Sequence, residues 1–481
     1  MKKKTMIETT PKYTYCDLNI VPAVISNIGS RSQCNPYYKD GNLPIFTAPM
    51  SSVCDDKTYK YFQKNHIIPI IHRNVPFETR YQLTLNGFWC AWTLDEFEKV
   101  FYKNDTTDGF KYNIFDECTD DIKQLNALID VANGHMQRIL DVVKKVREIE
   151  REHKMKPKLF IMAGNVANPE TIISYMKAGI DYCRLDIGGG SRCLTTPCTG
   201  VHYPLASLVQ DTWKVRDEYC KKWLGESFIY LKEHAASFNV QERWSENYKE
   251  LGEDFRLTQI IADGGIKSFA DVNVALALGA DYVMIGGLFS ECIESAGTLL
   301  CKSRKGNENE ALTVSAYNDE NDGKYHFICD TILSQAYYNA LVTKYHLDTI
   351  KRSDTHYNQF MEKRYEITLT RDQIAIPEVG EWLINTFDLY KLSFGMSSVE
   401  AQKERAEMLG KSDSELILKP TEGKSETVKL KTTLKQWTDL CAWYLRDAMS
   451  YCNCWNLRDF CSGKVKLVIN SQGVKNTVNH F

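Results

Sequence analysis

Eight short apolar runs lie between residues 44 and 285 and alternate with longer amphipathic stretches such as Met136–Lys154 and Pro169–Ala178. Apolar runs of about four to eight residues are typical of strands buried on both faces, and amphipathic helices between them are typical of repeated βα units. Eight such units predict an α/β fold, a closed parallel (β/α)8 barrel of the TIM-barrel type. The predicted strands are Pro44–Thr47, Ile67–Ile71, Gly87–Ala91, Ala127–Val131, Leu159–Ala163, Tyr182–Ile187, Gln259–Ala262 and Tyr282–Ile285.

Two stretches interrupt this rhythm. Residues 206–256 are too long for one helix and a loop, which predicts an inserted segment of two or three helices. Residues 301–385 open with the polar run Lys302–Glu310 and predict a second insertion. We therefore expect a barrel core over 1–300 with the helical insertion at about 206–256. The insertion 301–385 follows, and residues 386–481 form an active-site flap that returns to the barrel.

The composition excludes several classes of protein. The 481 residues are 43% hydrophobic and 25% charged, which is enough to bury a large core, and the net charge of −3 gives no reason to expect nucleic acid as a partner. No apolar run is long enough for a membrane span or a signal peptide, so we expect a cytoplasmic protein without membrane contact. Sixteen cysteines in such a chain favour free thiols over disulfides.

The loop after the sixth predicted strand carries the strongest chemical signal. It reads Gly188-Gly189-Gly190-Ser191-Arg192-Cys193, and glycine backbone N–H groups with a serine hydroxyl can cradle a phosphate. Glycine pairs after the seventh and eighth strands, Gly264-Gly265 and Gly286-Gly287, would complete the cup, since the last loops of a barrel commonly bind phosphate. The alternative is that these glycines only form tight turns.

Cys193 lies two residues after Ser191, so a bound monophosphate would hold its sugar and base near the thiol. A cysteine in such a loop becomes a nucleophile when neighbouring groups favour its thiolate. A cysteine taken alone is more often inert. Its position beside the Gly-Ser loop favours the reactive interpretation.

The order of several motifs resembles the inosine-monophosphate dehydrogenase and guanosine-monophosphate reductase family over most of residues 13–300 and 386–460. No single motif is decisive, but their order is specific. They are Asp17–Pro22, Ala48–Met50, Asp130–Gly134, Met162–Val166, the Gly-Ser-x-Cys loop, Gly200–Pro204, Ile261–Ile266 and Gly395–Ser398.

The resemblance implies that Cys193 is the nucleophile that adds to C2 of a purine 5′-monophosphate, with Thr195 beside the leaving group. Glu422 is the implied acid that handles protons at the purine ring, and Arg73 stands where the family has a catalytic lysine. Because an adduct at C2 builds negative charge in the ring, the reaction needs such an acid. The alternative for Glu422 is an exposed loop carboxylate. The implied substrate contacts are Met50, Ser191, Asp263, Gly265, Gly286, Gly287, Met396, Ser397 and Gly423, with Asp263 on the ribose hydroxyls.

The resemblance also implies a homotetramer and a nicotinamide cofactor, NADPH (NADP). Asp130, Asn133 and Gly134 are the candidate cofactor-binding residues, and Gly188, Gly190 and Cys193 are candidate ligands of a monovalent cation such as K+.

Three observations favour the reductive direction. Between Met396 and Glu422 the chain has Arg405 but no tyrosine, so the Arg-Tyr pair with which the dehydrogenases hydrolyse their adduct is missing. The regulatory insertion common in the dehydrogenases is also missing after the second strand. Met396-Ser397-Ser398 and Glu422-Gly423-Lys424 look more like the reductases. We therefore predict NADPH-dependent deamination of GMP, or of a related purine monophosphate, to IMP.

Several departures from the family leave the substrate open, among them Arg73, Thr196, Leu205, Phe394 and Lys419. The alternatives are oxidation of IMP with NAD and a catalytically idle nucleotide-binding protein. A flavin-dependent barrel oxidoreductase is a further class, because flavin phosphate uses a similar cup.

Overall fold

Eight parallel strands form the centre of the structure, a computed structural model. The eight strands pair side by side in chain order, and the first strand pairs with the last. A parallel bridge between Phe46 and Ile68 also brings the first strand beside the second. The prediction of a (β/α)8 barrel is confirmed. The strands are β2 Ile45–Thr47, β3 Ile70–Ile71, β4 Trp89–Trp92, β5 Gln124–Asp130, β6 Lys158–Val166, β7 Tyr182–Leu185, β8 Gln259–Asp263 and β9 Tyr282–Ile285. The structure describes residues 8–102, 114–118, 122, 124–152, 158–224, 255–301, 316–319, 324–329, 340–345, 347, 351–354, 363–408, 410, 420–421 and 423–470.

Alternate residues of these strands face the barrel interior and the surrounding helices, as the period of two in a strand requires. The interior is filled by large side chains, among them Phe46, Trp89, Tyr182 and Tyr282, whose rings contact one another at centroid distances such as 5.3 Å between Trp89 and Tyr182. The barrel is therefore a packed core, and an open cleft can form only at its ends.

Helices cover the outside of the barrel. The predicted amphipathic stretches Met136–Lys154 and Pro169–Ala178 are the helices Gln137–Glu152 and Thr171–Ala178, with bounds shifted by a few residues. A further helix spans Phe269–Ala277. The other helices between the barrel strands are Tyr59–Lys64, Phe77–Leu85, Leu94–Phe101, Ile114–Glu117, Thr195–Thr199 and Leu205–Leu224. Helices outside the barrel strands are Gly287–Ser290, Arg371–Ile374, Pro377–Thr386, Val399–Met408, Leu434–Tyr451 and Leu457–Phe460, with short 3-10 helices at Tyr15–Asp17 and Arg31–Gln33.

The second predicted insertion contains a sheet of its own. It has four antiparallel strands, and the third strand in the chain lies at the edge, beside the fourth. The sheet packs with the helix Pro377–Thr386 around a core that includes Phe327, Trp382 and Phe387. This core is separate from that of the barrel, which agrees with an inserted unit. The strands are β11 Ala316–Asp319, β12 Lys324–Cys329, β13 Lys351–Asp354 and β14 Lys363–Thr370.

The remaining strands attach flanking segments to the barrel. β10 (Leu299–Cys301), β15 (Leu389–Phe394) and β16 (Ser425–Lys429) form a three-stranded antiparallel sheet, and β1 (Leu18–Ile20) pairs with β17 (Leu467–Ile469). Of the first predicted insertion, residues 225–254 lie outside the described residues. The domain boundaries stay predictions. In the part of the chain that the structure describes, no helix has the length and apolar character that crossing a membrane would require.

Candidate active site at the carboxyl end of the barrel

A cavity of about 690 Å³ opens where the carboxyl ends of the barrel strands meet. Barrel enzymes place their chemistry at this end, so the position agrees with a catalytic cleft. The cavity gathers most of the residues that the sequence singled out. These are Met50, Arg73, Asp130, Gly188, Gly190, Ser191, Cys193, Thr195, Asp263, Gly265, Gly286, Gly287, Met396 and Ser397.

Cys193 lies half-buried in the wall of this cavity. Its backbone N–H donates to the carbonyl of Gly190 at 3.0 Å, which closes the glycine loop into a tight turn. The thiol Sγ lies 3.1 Å from Oγ1 of Thr195, which begins the short helix Thr195–Thr199. The structure thus places the predicted nucleophile within hydrogen-bond distance of the predicted neighbour of the leaving group. The cysteines that the structure describes are free thiols, as predicted.

A segment from the C-terminal part of the chain crosses over the cysteine loop. Gly423 forms an antiparallel bridge with Cys193, and the N–H of Lys424 donates to the carbonyl of Arg192 at 3.0 Å. Arg192 also pairs with Glu426 at 2.9 Å. A Cβ at Gly423 would lie 2.8 Å from the backbone nitrogen of Ser398, so only glycine allows this close approach. The predicted acid Glu422 lies outside the described residues.

The glycine loop holds a carboxylate of its own, which sequence reasoning missed. Asp186 accepts a hydrogen bond from the N–H of Gly189 at 2.6 Å, and its other oxygen lies where a side chain at Gly264 would start. Burial, and next the charge of Asp263, raises the pKa of the Asp186 carboxyl well above its usual range. Of the predicted cup, Ser191, Gly265, Gly286 and Gly287 line the cavity.

An aromatic side chain closes the cup from behind. The ring of Tyr15 lies about 3.6 Å from where a Cβ of Gly265 would stand, and Gly265 has a φ of +68°, which favours glycine. The Tyr15 hydroxyl is buried, and among the described residues it has no hydrogen-bond partner. Tyr15 is thus a second residue of the cup that the sequence did not identify.

A chain of alternating charges crosses the floor of the cavity. Arg184 donates from Nε to Asp263 at 2.6 Å and from Nη1 to Asp130 at 2.7 Å. Arg73 follows, with Nη1 donating to the Asp130 carbonyl at 3.3 Å. The chain thus runs Asp263–Arg184–Asp130–Arg73. Arg184 was missed because it lies inside a run interpreted as an apolar strand.

Asp130 and Arg73, two of the predicted site residues, lie side by side in the cavity wall. The Nε–H of Arg73 is buried, has no hydrogen-bond partner in the described part of the chain, and lies 3.8 Å from Oδ2 of Asp130. The two other predicted cofactor residues, Asn133 and Gly134, are not in the cavity wall. Asn133 accepts from the N–H of His135 at 3.0 Å, and Gly134 packs against Tyr175, whose hydroxyl donates to the Gly134 carbonyl at 2.8 Å.

The candidate cation site offers less support. Gly188, Gly190 and Cys193 all line the cavity, but the carbonyl of Gly190 already accepts the N–H of Cys193. No group of three or more His, Cys, Asp or Glu side chains in the described ranges is arranged to hold a metal ion. The cation stays a prediction, and no chemical step below depends on it.

The fold and the site define a class: a parallel (β/α)8 barrel enzyme with a cysteine and a phosphate-type cup at the carboxyl end of its strands. Residues 120–226 and 246–326 match the family described as IMP dehydrogenase / GMP reductase domain. The chain resembles this family, as the motifs predicted, and more of it aligns with reductases than with a dehydrogenase.

Three relatives show that difference. A GMP reductase of Shouchella clausii (strain KSM-K16) is 27% identical over 61% of this chain and 75% of that protein. A GMP reductase of Oceanobacillus iheyensis (strain HTE831) is 28% identical over 59% of this chain and 72% of that protein. An inosine-5′-monophosphate dehydrogenase of Chlorobaculum parvum (strain DSM 263 / NCIMB 8327) is 34% identical, but over 37% of this chain and 27% of that protein. The predicted class, an oxidoreductase resembling GMP reductases, is confirmed.

Proposed function

We propose that the protein catalyses the NADPH-dependent reductive deamination of GMP, or of a related purine monophosphate, to IMP through a covalent adduct between Cys193 and C2 of the purine. The observation that carries the proposal is the Cys193–Thr195 pair, 3.1 Å apart, in a cavity that also holds Ser191 and Asp263. A ligand with its phosphate at Ser191 and its ribose at Asp263 presents its base to the thiol.

The chain's own groups divide the work. The Cys193 thiolate forms a bond to C2, and the amino group leaves as ammonia with protons delivered by Thr195 and Glu422. NADPH, when bound, would supply the hydride that C2 accepts. The C2–S bond then breaks and returns the thiolate. Arg73 and Asp130 would hold the cofactor, because both line the cavity next to each other.

The position of Arg405 supports the reductive direction over hydrolysis of the adduct. Arg405 lies 3.8 Å from Glu96 in an ion pair and is not among the residues that line the cavity. A guanidinium placed there is not available to activate water at the Cys193 adduct.

The test is to incubate the protein with GMP, IMP, XMP and AMP in turn, with NADPH or with NAD. Of the four nucleotides, only GMP is expected to give NADPH oxidation and ammonia release. Trapped samples should also show a mass increase on the Cys193 peptide. NAD reduction with IMP would establish the dehydrogenase reaction instead. Tight binding of a monophosphate without any redox change would establish an idle nucleotide-binding protein, and a yellow chromophore in the purified protein would indicate flavin.

We also propose the homotetramer that the sequence predicted. The helix Leu434–Tyr451 exposes about half of Leu440, Trp443 and Tyr444, and Val24 and Ile25 are exposed as well. An exposed set of large apolar side chains is typical of a protein–protein interface. Light scattering at micromolar concentration should give the mass of four chains, whereas the mass of one chain would contradict the proposal.

A further inference from the structure

Each of the four consecutive barrel strands β5 to β8 contributes one residue to the same layer of the barrel interior. These residues are Asp130, Gly164, Arg184 and Asp263. In each strand the residue two positions earlier belongs to the interior cluster, and β5 pairs with β6 at Asp130 and Gly164. Since alternate residues of a strand share a face, all four residues face inward.

Glycine at one position of this layer makes room for the arginine at the next. A Cβ at Gly164 would lie 2.6 Å from Cβ of Arg184 and 2.5 Å from its carbonyl oxygen. With glycine there, the guanidinium of Arg184 reaches across β6 to Asp130 on β5 while it also holds Asp263 on β8. The three charged residues are each at most 9% exposed, so water screens their contacts little.

We propose that Arg184 couples the two halves of the cleft, so that binding of the purine nucleotide at Asp263 strengthens binding of the nicotinamide cofactor at Asp130. This inference rests on the proposed function, which assigns those two ligands to those two carboxylates. Arg184 also lines the cavity, but in this scheme it acts through the two carboxylates that it holds and is a positioning residue.

The physical reason is the shape of guanidinium. Its N–H groups form a rigid planar fork, so Nε and Nη1 cannot reorient independently. A ribose hydroxyl that fixes Asp263 thereby fixes Arg184 and, through it, Asp130. The second ligand then meets an already ordered carboxylate and loses less conformational entropy on binding. Because coupling is reciprocal, the cofactor must strengthen nucleotide binding by the same factor.

The test measures that factor with IMP and NADPH, a pair that cannot react with each other in this reaction. Calorimetry gives the NADPH dissociation constant without IMP and at saturating IMP, and the ratio is the coupling factor. We expect a factor of about five or more in the parent protein. In Arg184→Lys, which keeps the charge but replaces the fork by a single ammonium group, the factor should fall to about one.

The matched control is Arg147→Lys. Arg147 is also a buried arginine, and it pairs with an aspartate, Asp181, at 2.6 Å. It belongs to the helix Gln137–Glu152, and its guanidinium lies at the start of β7, away from the cavity. Both Arg184→Lys and Arg147→Lys should unfold at a lower temperature, because each disturbs a buried ion pair. The coupling factor of Arg147→Lys should nevertheless stay at the parent value, because a loss of stability alone does not change it. Arg184→Gln, which removes the charge together with the fork, is the second variant, and its factor should also fall to about one.

Two outcomes would overturn the inference. A factor near one in the parent protein, or an unchanged factor in Arg184→Lys, removes the coupling role even if GMP turnover through Cys193 is observed. If IMP does not bind alone and NADPH does not bind at saturating IMP, the proposed function itself fails and takes the inference with it. NADPH binding that requires IMP is instead the strongest form of the coupling, so the titrations separate the two failures.

Discussion

The two ends of the barrel use buried arginines in different ways. Near the amino end of β7, Arg147 donates to the carbonyls of Gly179 and Leu159 and to Asp181, all within 2.9 Å. At the carboxyl end, Arg184 donates to two carboxylates that line a cavity. The first arginine is enclosed by the protein, whereas the second holds groups that a ligand can reach.

The enclosed arrangement occurs twice. Asp181 and Asp281 directly precede β7 and β9, and each accepts a backbone N–H from the neighbouring strand, at 2.8 Å from Ile161 and 2.7 Å from Ile260. Arg216 pairs with Asp281 as Arg147 pairs with Asp181. This repetition at the amino end indicates that the enclosed arginines stabilise the barrel there.

The largest expected effect is the loss of turnover in Cys193→Ala, which tests the functional end. Without the thiol no adduct forms, so kcat should fall by at least about 10³-fold. Unfolding in urea should change by less than about 1 kcal/mol, because the side chain is small and half-buried. Cys198→Ala, which alters an exposed thiol five residues further on, is the control and should keep parent activity. Equal activity in the two variants would remove Cys193 from the reaction.

The next effect tests the structural end. Arg147→Met removes the guanidinium that donates to the buried Asp181 at 2.6 Å, while Arg256 stays 4.0 Å from this carboxylate, and should lower the free energy of unfolding by about 3–5 kcal/mol. Turnover per folded molecule should not change. Lys145→Met, which breaks an ion pair whose two side chains are both about half exposed, should have a much smaller effect. If Arg147→Met costs no more than Lys145→Met in urea unfolding, the two ends do not differ as described.

A buried carboxylate without an arginine sharpens the comparison. Glu294 accepts the backbone N–H of Leu434 at 2.9 Å, and burial raises its pKa from 4.5 to about 7, against the opposing effects of that N–H and of Lys391. Between these pH values the folded protein keeps a proton that the unfolded chain has released, so stability falls as pH rises. In Glu294→Gln this fall should be smaller by up to about 3 kcal/mol. Urea unfolding at a series of pH values measures it, and parallel curves would refute the assignment.

The smallest expected effect concerns ligand affinity. Asp263→Ala should weaken GMP binding by about 1.5–3 kcal/mol, the usual cost of losing hydrogen bonds to a charged group. Binding of inorganic phosphate is the control and should not change, because phosphate has no ribose. If calorimetry shows equal losses for both ligands, Asp263 acts on the cup as a whole and not on the ribose.

The barrel could be predicted from sequence because each strand is an apolar run bounded by turn residues. Because the same pattern classifies Tyr182–Ile187 as one buried apolar strand, it gives no reason to single out Arg184 and Asp186 inside that strand. Alternation offered a signal: Tyr182, Arg184 and Asp186 share one parity, so two charges at interior-facing positions of one strand point to a polar end of the barrel. The crossing of Gly423 over Cys193 had no such signal, because it joins segments 230 positions apart through backbone contacts.

The pairing of β1 with β17 has a consequence for how the chain is made. Leu18 lies opposite Ile469, so the chain from Leu18 to Ile469 must be synthesised before this edge of the molecule can close. Contacts so distant in sequence form slowly, because a long loop must be closed before they contribute. Until then β1 is an unpaired strand edge, the kind of surface on which chains aggregate during synthesis. The sheet of β1 and β17 is separate from the barrel, so the strands β2 to β9 can pair before residues 467–469 are made, and these residues complete only the flanking sheet.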